Sequence, residues 1–223
     1  MQETILDRQT LAATMDRLQN TQTSESEKER ERLAQEFAQR LKENEFDICP
    51  AYLPHMMARM AMRSNVKGWV LTGATGCGKT TAAEWCRWAA NNGRTRQERV
   101  QMLSALDIYD RVTDLLQAGS CTSAEKMDAY GLTRGEMFHE HSLDLIIDDL
   151  GAEPRKTIVY GQQVYPMQDL LMRRYAAFPE AKTYITTNLT MDEIAEVYGE
   201  RVRSRLEGMC KIFVIDGKDR RKK

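Results

Sequence analysis

Two short stretches of this sequence concentrate residue types that can do chemistry. The first, Gly73-Ala74-Thr75-Gly76-Cys77-Gly78-Lys79-Thr80-Thr81, carries glycines, a lysine and a hydroxyl at the spacing G-x-x-x-x-G-K-[ST]. Glycines there can turn successive backbone N–H groups inward, forming a nest for phosphate oxygens. A helix starting at the same place adds its positive end. Lys79 would reach the β- and γ-phosphates, and the Thr80 hydroxyl would ligate Mg²⁺. The second stretch, Leu145-Ile146-Ile147-Asp148-Asp149-Leu150-Gly151, is an apolar run ending in adjacent acids. Asp148 would hold Mg²⁺ opposite Thr80, usually through water. Asp149 stands where a carboxylate could orient and deprotonate an attacking water. Cys77 sits inside the phosphate loop. A helix N-terminus and Lys79 would lower its thiol pKa and open it to modification, unless it is a small residue pointing away.

The phosphate loop needs a strand before it and a helix after it. Trp69-Val70-Leu71 supplies the strand. Residues 82–90 are rich in helix formers, and Asn91-Asn92-Gly93 makes a stop. Further strands are predicted over 100–104, 182–188 and 210–215, and helices over 105–118, 167–178 and 191–198. Thr186-Thr187-Asn188 would then end a core strand beside Asp148, with polar groups facing the γ-phosphate. Residues 200–206 read as a helix on which Arg201 and Arg205 share a face and Arg203 points elsewhere. A basic tail runs from 218 to 223. Arg155, Lys156, Tyr160 and Tyr165 fall on a predicted loop. Basic and aromatic residues interleaved in this way suit single-stranded nucleic acid. Residues 120–134 are weakly patterned, with a short helix expected over 123–129. His139-Glu140-His141 lacks a nearby third metal ligand.

Upstream, residues 1–22 form a modest amphipathic pattern, followed by an expected break at Thr21-Gln22-Thr23-Ser24. Ser24 and Glu27 then offer a capping box for a second, strongly charged helix. Its apolar stripe is narrow, Leu33, Phe37 and Leu41. Such a helix either lies on a neighbouring domain or awaits a partner. Pro50 and Pro54 place a domain junction near residue 50, dividing a helical segment, 1–50, from a larger domain, 51–223. Residues 55–62 read as a Met-rich helix filling irregular core space.

At 223 residues the chain accommodates one α/β domain with an appendage. A net charge of −1 argues neither for nor against nucleic acid. Five scattered cysteines, with no C-x-x-C pair, suggest reduced thiols. No apolar run is long enough to span a bilayer, and no signal-peptide core opens the chain. A cytoplasmic protein without a membrane partner is the expectation.

The phosphate loop, the Asp148-Asp149-Leu150-Gly151 block, Arg174-Tyr175, Thr186-Thr187-Asn188-Leu189, Gly199-Glu200-Arg201 and Ser204-Arg205-Leu206 together resemble the AAA+ ATPases of the DnaC/IstB group. These are helicase loaders and transposition-assisting ATPases. The resemblance covers roughly residues 50–221. It implies a P-loop NTPase of AAA+ type, a three-layer α/β core around a parallel sheet, with a small helical N-terminal segment. It further implies ATP and Mg²⁺ as ligands, Asn188 as the sensor-1 residue and Arg205 as an arginine finger acting on the neighbouring subunit, with Arg201 as second choice. Arg221, with Arg220 as the near alternative, would be the sensor-2 arginine. Self-association follows from a finger in trans. A replicative helicase docking on residues 1–50 and single-stranded DNA are the implied partners. A transposition helper, a nucleotide-gated adaptor without useful turnover, and a small-molecule kinase are the competing readings. The kinase would leave Thr186-Thr187-Asn188 and the paired arginines unexplained.

Overall fold

In the central strands, alternate apolar residues point to opposite faces, so a sheet built from them needs cover on both sides. The computed structural model describes residues 8–43, 52–62, 67–92, 99–119 and 144–215, with side chains of the first helix from residue 26 onward. Strands β1 (Gly68–Thr72), β2 (Gln101–Ser104), β3 (Leu145–Leu150), β6 (Thr183–Thr187) and β7 (Cys210–Val214) form one sheet in the order β2-β3-β6-β1-β7. Every pairing in it is parallel. Val70, Leu145, Ile147 and Ile185 face α4 (Ala105–Gln117), α5 (Pro166–Ala176), α6 (Met191–Tyr198) and α7 (Glu200–Met209) in one core. Trp69, Leu71, Ile146 and Tyr184 face α1 (Arg8–Glu43), α2 (Leu53–Ala61) and α3 (Lys79–Asn91) in the other. The three-layer α/β architecture expected from the sequence is present.

Local sequence accounts for the helix ends. Ser104 caps α4 by accepting the Asp107 N–H. Thr190 and Glu193 form a reciprocal capping box on α6. Such caps contribute about 1 kcal/mol each. Met56, Met57 and Met60 of α2 are buried as the Met-rich pattern implied, and the Trp69 indole N–H donates to Met60 Sδ (3.4 Å).

Two expectations are corrected. The break at 21–24 does not occur, and α1 is one continuous helix from Arg8 to Glu43. Thr, Gln and Ser cost a helix only a few tenths of a kcal/mol each, and neither Gly nor Pro stands there to stop it. The basic and aromatic loop is a hairpin, β4 (Thr157–Val159) paired antiparallel with β5 (Gln162–Val164). Tyr160 and Gly161 both take positive φ (50° and 78°), the turn that suits a two-residue hairpin loop. The stripe Leu33, Phe37 and Leu41 packs on the domain. Phe37 and Leu41 are buried, with the Phe37 ring edge-on to Trp88 at 5.9 Å. The 44–51 junction, the helix expected at 123–129, His139-Glu140-His141 and the basic tail lie outside the described residues.

Candidate nucleotide site

Strand order puts the carboxyl ends of β3, β6 and β1 side by side, and the chemistry-bearing residues follow those ends. After β1 the chain turns through Gly76 and Gly78 at positive φ (80° and 95°) into α3. Gly73 is needed for space as well, because a Cβ there would lie 2.2 Å from the Ile215 carbonyl oxygen. No side chain caps α3, so its first N–H groups are not engaged by one.

Lys79 is 5% exposed and donates to the carbonyls of Gly73 and Ala74 and to Asn188 Oδ1, each at 2.8 Å. None of these three acceptors carries a charge. A buried ammonium held by neutral oxygens is well matched to an anionic ligand. Beside it, the Thr80 hydroxyl donates to Asp148 Oδ1 (3.1 Å), so the hydroxyl and carboxylate that would share a cation already adjoin. The donor set and the nest fit a Mg²⁺-bound nucleotide.

The two acids sit on a bulge. Between Ile147 and Leu150, β3 carries one more residue than β6 carries between Ile185 and Thr187. The irregularity places Asp149 at φ 54°. Thr186 spans the gap, donating to Asp148 Oδ1 (2.5 Å) and accepting the Asp149 N–H (2.9 Å). Burial holds the Asp148 carboxyl above its usual range, opposed by the Thr186 and Thr80 bonds and Lys79 and reinforced by Asp149. Asp149 itself is exposed at the strand tip. Thr187 turns inward, donating to the Leu150 carbonyl (2.7 Å).

The structure thus brings together Lys79, Thr80, Asp148 and Asn188. Arg205 is not part of that cluster. Its guanidinium lies 4.2 Å from the centroid of the Tyr175 ring. Arg201 is exposed on the same helix, and Arg203 pairs with Asp192, Glu200 and Glu207. Arg174 is fully buried and structural, donating to Thr183 Oγ1 (2.7 Å) and the Lys182 carbonyl (2.8 Å). Burial lowers its pKa to about 10, against the opposing charge of Asp144. Cys77 is 0% exposed, the small-residue reading of that position. Arg220 and Arg221 lie outside the described residues. Among the described residues no helix is long and apolar enough to cross a membrane.

Sequence reasoning missed two features. It gave Thr186 no separate part in holding the two acids. It also passed over Glu153, a buried acid whose Oε2 accepts the Gly151 N–H (2.9 Å) and whose Oε1 accepts the Tyr198 hydroxyl. No spacing rule links residues that far apart. A lone acid next to a glycine turn is the only mark Glu153 leaves.

With this geometry in hand, solved structures supply the class. The crystal structure of the DnaC helicase loader matches at TM-score 0.53 and 20% identity, over 72% of this chain and 86% of that one. AMPPCP-bound DnaA from Aquifex aeolicus matches at 0.52 and 18%, over 75% of this chain and 47% of DnaA. Domain III of the replication initiation protein DnaA from Thermotoga maritima matches at 0.52 and 14%, over 79% and 63%. No protein-family model and no curated protein matches the chain. The fold is that of a P-loop NTPase. Within that class it is the AAA+ fold, in agreement with the resemblance carried by the motifs.

Proposed function

We propose that this protein is a Mg²⁺-dependent ATPase of DNA replication that loads a replicative helicase onto single-stranded DNA. The observation that carries the ATPase reading is the juxtaposed pairs Lys79–Asn188 and Thr80–Asp148 at the carboxyl end of the sheet, with Arg201 and Arg205 placed elsewhere. Lys79 and the N–H groups of residues 73–81 would hold the phosphates. Thr80 and Asp148 would hold the cation, which when bound offsets charge on the phosphate oxygens. Asp149 orients water and takes its proton, while Asn188 positions Lys79 and reads the γ-phosphate. Asp149 is one methylene shorter than a glutamate, so basal turnover is slow. It rises when Arg205 arrives from the next subunit.

Likeness to the DnaC helicase loader supports the replication reading, with residues 1–50 as the arm that meets the helicase. Single-stranded DNA has a candidate surface in the β4–β5 hairpin. Tyr160 is 76% exposed and Ile158 65%, beside exposed Arg155 and Lys156, and no carboxylate occurs from 154 to 168. Tyr160 braces the hairpin by donating to the Gln117 carbonyl (3.0 Å). Bases would stack on the tyrosines while the cations meet phosphates.

The test is ATPase turnover with and without single-stranded DNA, for wild type and Arg205→Ala, with a pull-down of a replicative helicase by residues 1–50. DNA-stimulated turnover that needs Arg205, and capture of the helicase, is the expected result. Fast single-turnover hydrolysis by isolated monomers would overturn the trans finger. Nucleotide binding without turnover would favour a gated adaptor instead.

A further inference from the structure

The Glu153 carboxylate is 7% exposed and joins two parts of the molecule that the ATPase reading treats separately. One is the turn after β3. Asp149 (φ 54°) and Gly151 (φ 101°) both take left-handed backbone angles there, and the Ala152 N–H closes the turn onto the Asp149 carbonyl (3.0 Å). Glu153 Oε2 holds the Gly151 N–H of that turn. A Cβ at Gly151 would come within 2.7 Å of Leu189 Cδ1, so the turn also packs against the residue following Asn188.

The other part is the α6–α7 junction. Tyr198 is the last residue of α6, 3% exposed, and its hydroxyl donates to Glu153 Oε1. Burial, and then the Glu153 charge, push the Tyr198 phenol well above its usual range, so it stays a donor. Gly199 (φ 93°) follows, and α7, with Arg201 and Arg205, starts one residue later. Ile194, Tyr198, Val202 and Leu206 share one core, so α6 and α7 are packed against each other. The other end of α6 is capped by Thr190, two residues after Asn188. Both ends of this short helix are therefore tied to the site, one through the chain after Asn188 and the other through Glu153.

We propose that Glu153 and Tyr198 form a buried tie carrying the state of the Asp149–Gly151 turn to α7, so that a subunit's own nucleotide sets how it presents Arg201 and Arg205 to its neighbour. Glu153 is then a positioning residue. Its carboxylate is taken up by the Gly151 N–H and the Tyr198 hydroxyl, so it fixes the turn behind Asp149 and the junction behind the finger. The assignment rests on the trans-finger reading above, and it supplies what that reading lacks, a path within one subunit from occupied site to presented arginine.

Hydrogen exchange on the full-length protein, with and without Mg²⁺ and a non-hydrolysable ATP analogue, tests this apart from turnover. Wild type, Glu153→Ala, Glu153→Gln and Tyr198→Phe are compared, with analogue affinity measured in parallel. In wild type the nucleotide slows exchange in the peptide covering 198–206 by on the order of 5-fold or more. Glu153→Ala and Tyr198→Phe lose that response while keeping analogue affinity within about 3-fold. Glu153→Gln restores it, since a carboxamide can accept from Gly151 and donate to the tyrosine oxygen. The proposal is overturned if wild type shows no response over 198–206, if the response survives in Tyr198→Phe, or if affinity is lost together with it. Should Glu153→Ala fail to fold, Tyr198→Phe alone decides. Failure of the ATPase reading registers separately, as absent turnover or indifference to Arg205→Ala.

Discussion

At the carboxyl end of the sheet, Lys79 bonds Asn188, and Asp148 accepts from both Thr80 and Thr186, at 2.5–3.1 Å, the residues being drawn from three strand ends. On α7, Arg203 is taken up by Asp192, Glu200 and Glu207, while Arg205 lies over the Tyr175 ring and Arg201 is exposed. The first region is preorganised, so a ligand would meet donors already in place and spend little on reorganisation. The second holds Arg201 and Arg205 on a helix face apart from the phosphate cluster. The contrast fits the proposal that Arg205 serves the nucleotide of a neighbouring copy of the chain.

The largest expected effect follows from removing the buried cation of the first region. Lys79→Ala should abolish turnover and weaken nucleotide binding, each by about 100-fold or more, in equilibrium binding and steady-state assays. Arg205→Ala should lower kcat by about 10³ while leaving nucleotide affinity nearly unchanged. Mixing the two inactive variants should then restore part of the turnover, because a subunit with intact Arg205 can serve a neighbour with intact Lys79. If Arg205→Ala weakens nucleotide binding as Lys79→Ala does, or if the mixture stays inactive, the division into half-sites fails.

Much of the first region was legible in the sequence because its chemistry is local. The phosphate loop is contiguous, and the two acids end an apolar run that can only be a buried strand. The sheet faces were equally legible, since Val70 and Leu71 or Ile146 and Ile147 must point oppositely in any strand. What was not legible depends on contacts distant in sequence. Glu153 and Tyr198 meet only because β3 and α6 pack on one side of the sheet. The bulge at Asp148-Asp149 arises from pairing with β6, which β3 alone does not encode. The continuous α1 was missed for another reason. The polar stretch at 21–24 resembles a break, but polar residues without Gly or Pro only weaken a helix slightly.

A smaller effect tests whether α1 belongs to the first region or merely rests on it. Phe37 and Leu41 are buried against α2 and α3, whereas the ion pairs Arg32–Glu29 and Arg40–Glu36 are solvent-exposed and add little. Phe37→Ala should destabilise the docked segment by about 3 kcal/mol and raise hydrogen exchange over 26–43. Nucleotide affinity should not change, because no residue of α1 enters the phosphate cluster. A parallel loss of affinity would show that α1 supports α3 and, through it, the loop.

The smallest effect has the opposite sign. Asp148 is held above its ordinary carboxyl pKa of 3.8, chiefly by burial, so in the cation-free protein its charged form is less favoured than it is in water. Between 3.8 and that raised value the folded state binds more protons than the unfolded chain, and stability falls as pH rises. The contribution is fully present below 3.8 and is lost as pH climbs through the folded-state value. Asp148→Asn keeps an oxygen to accept from Thr80 and Thr186 but removes the charge. The metal-free variant should therefore melt slightly above wild type at neutral pH, with the gap closing on acidification, while Mg²⁺-dependent turnover is lost. A variant that melts below wild type would mean that Lys79 and the two hydroxyls stabilise the carboxylate more than burial penalises it. The phosphate corner would then be optimised for folding, and the arginine face of α7 would be left as the part of the chain that depends on assembly.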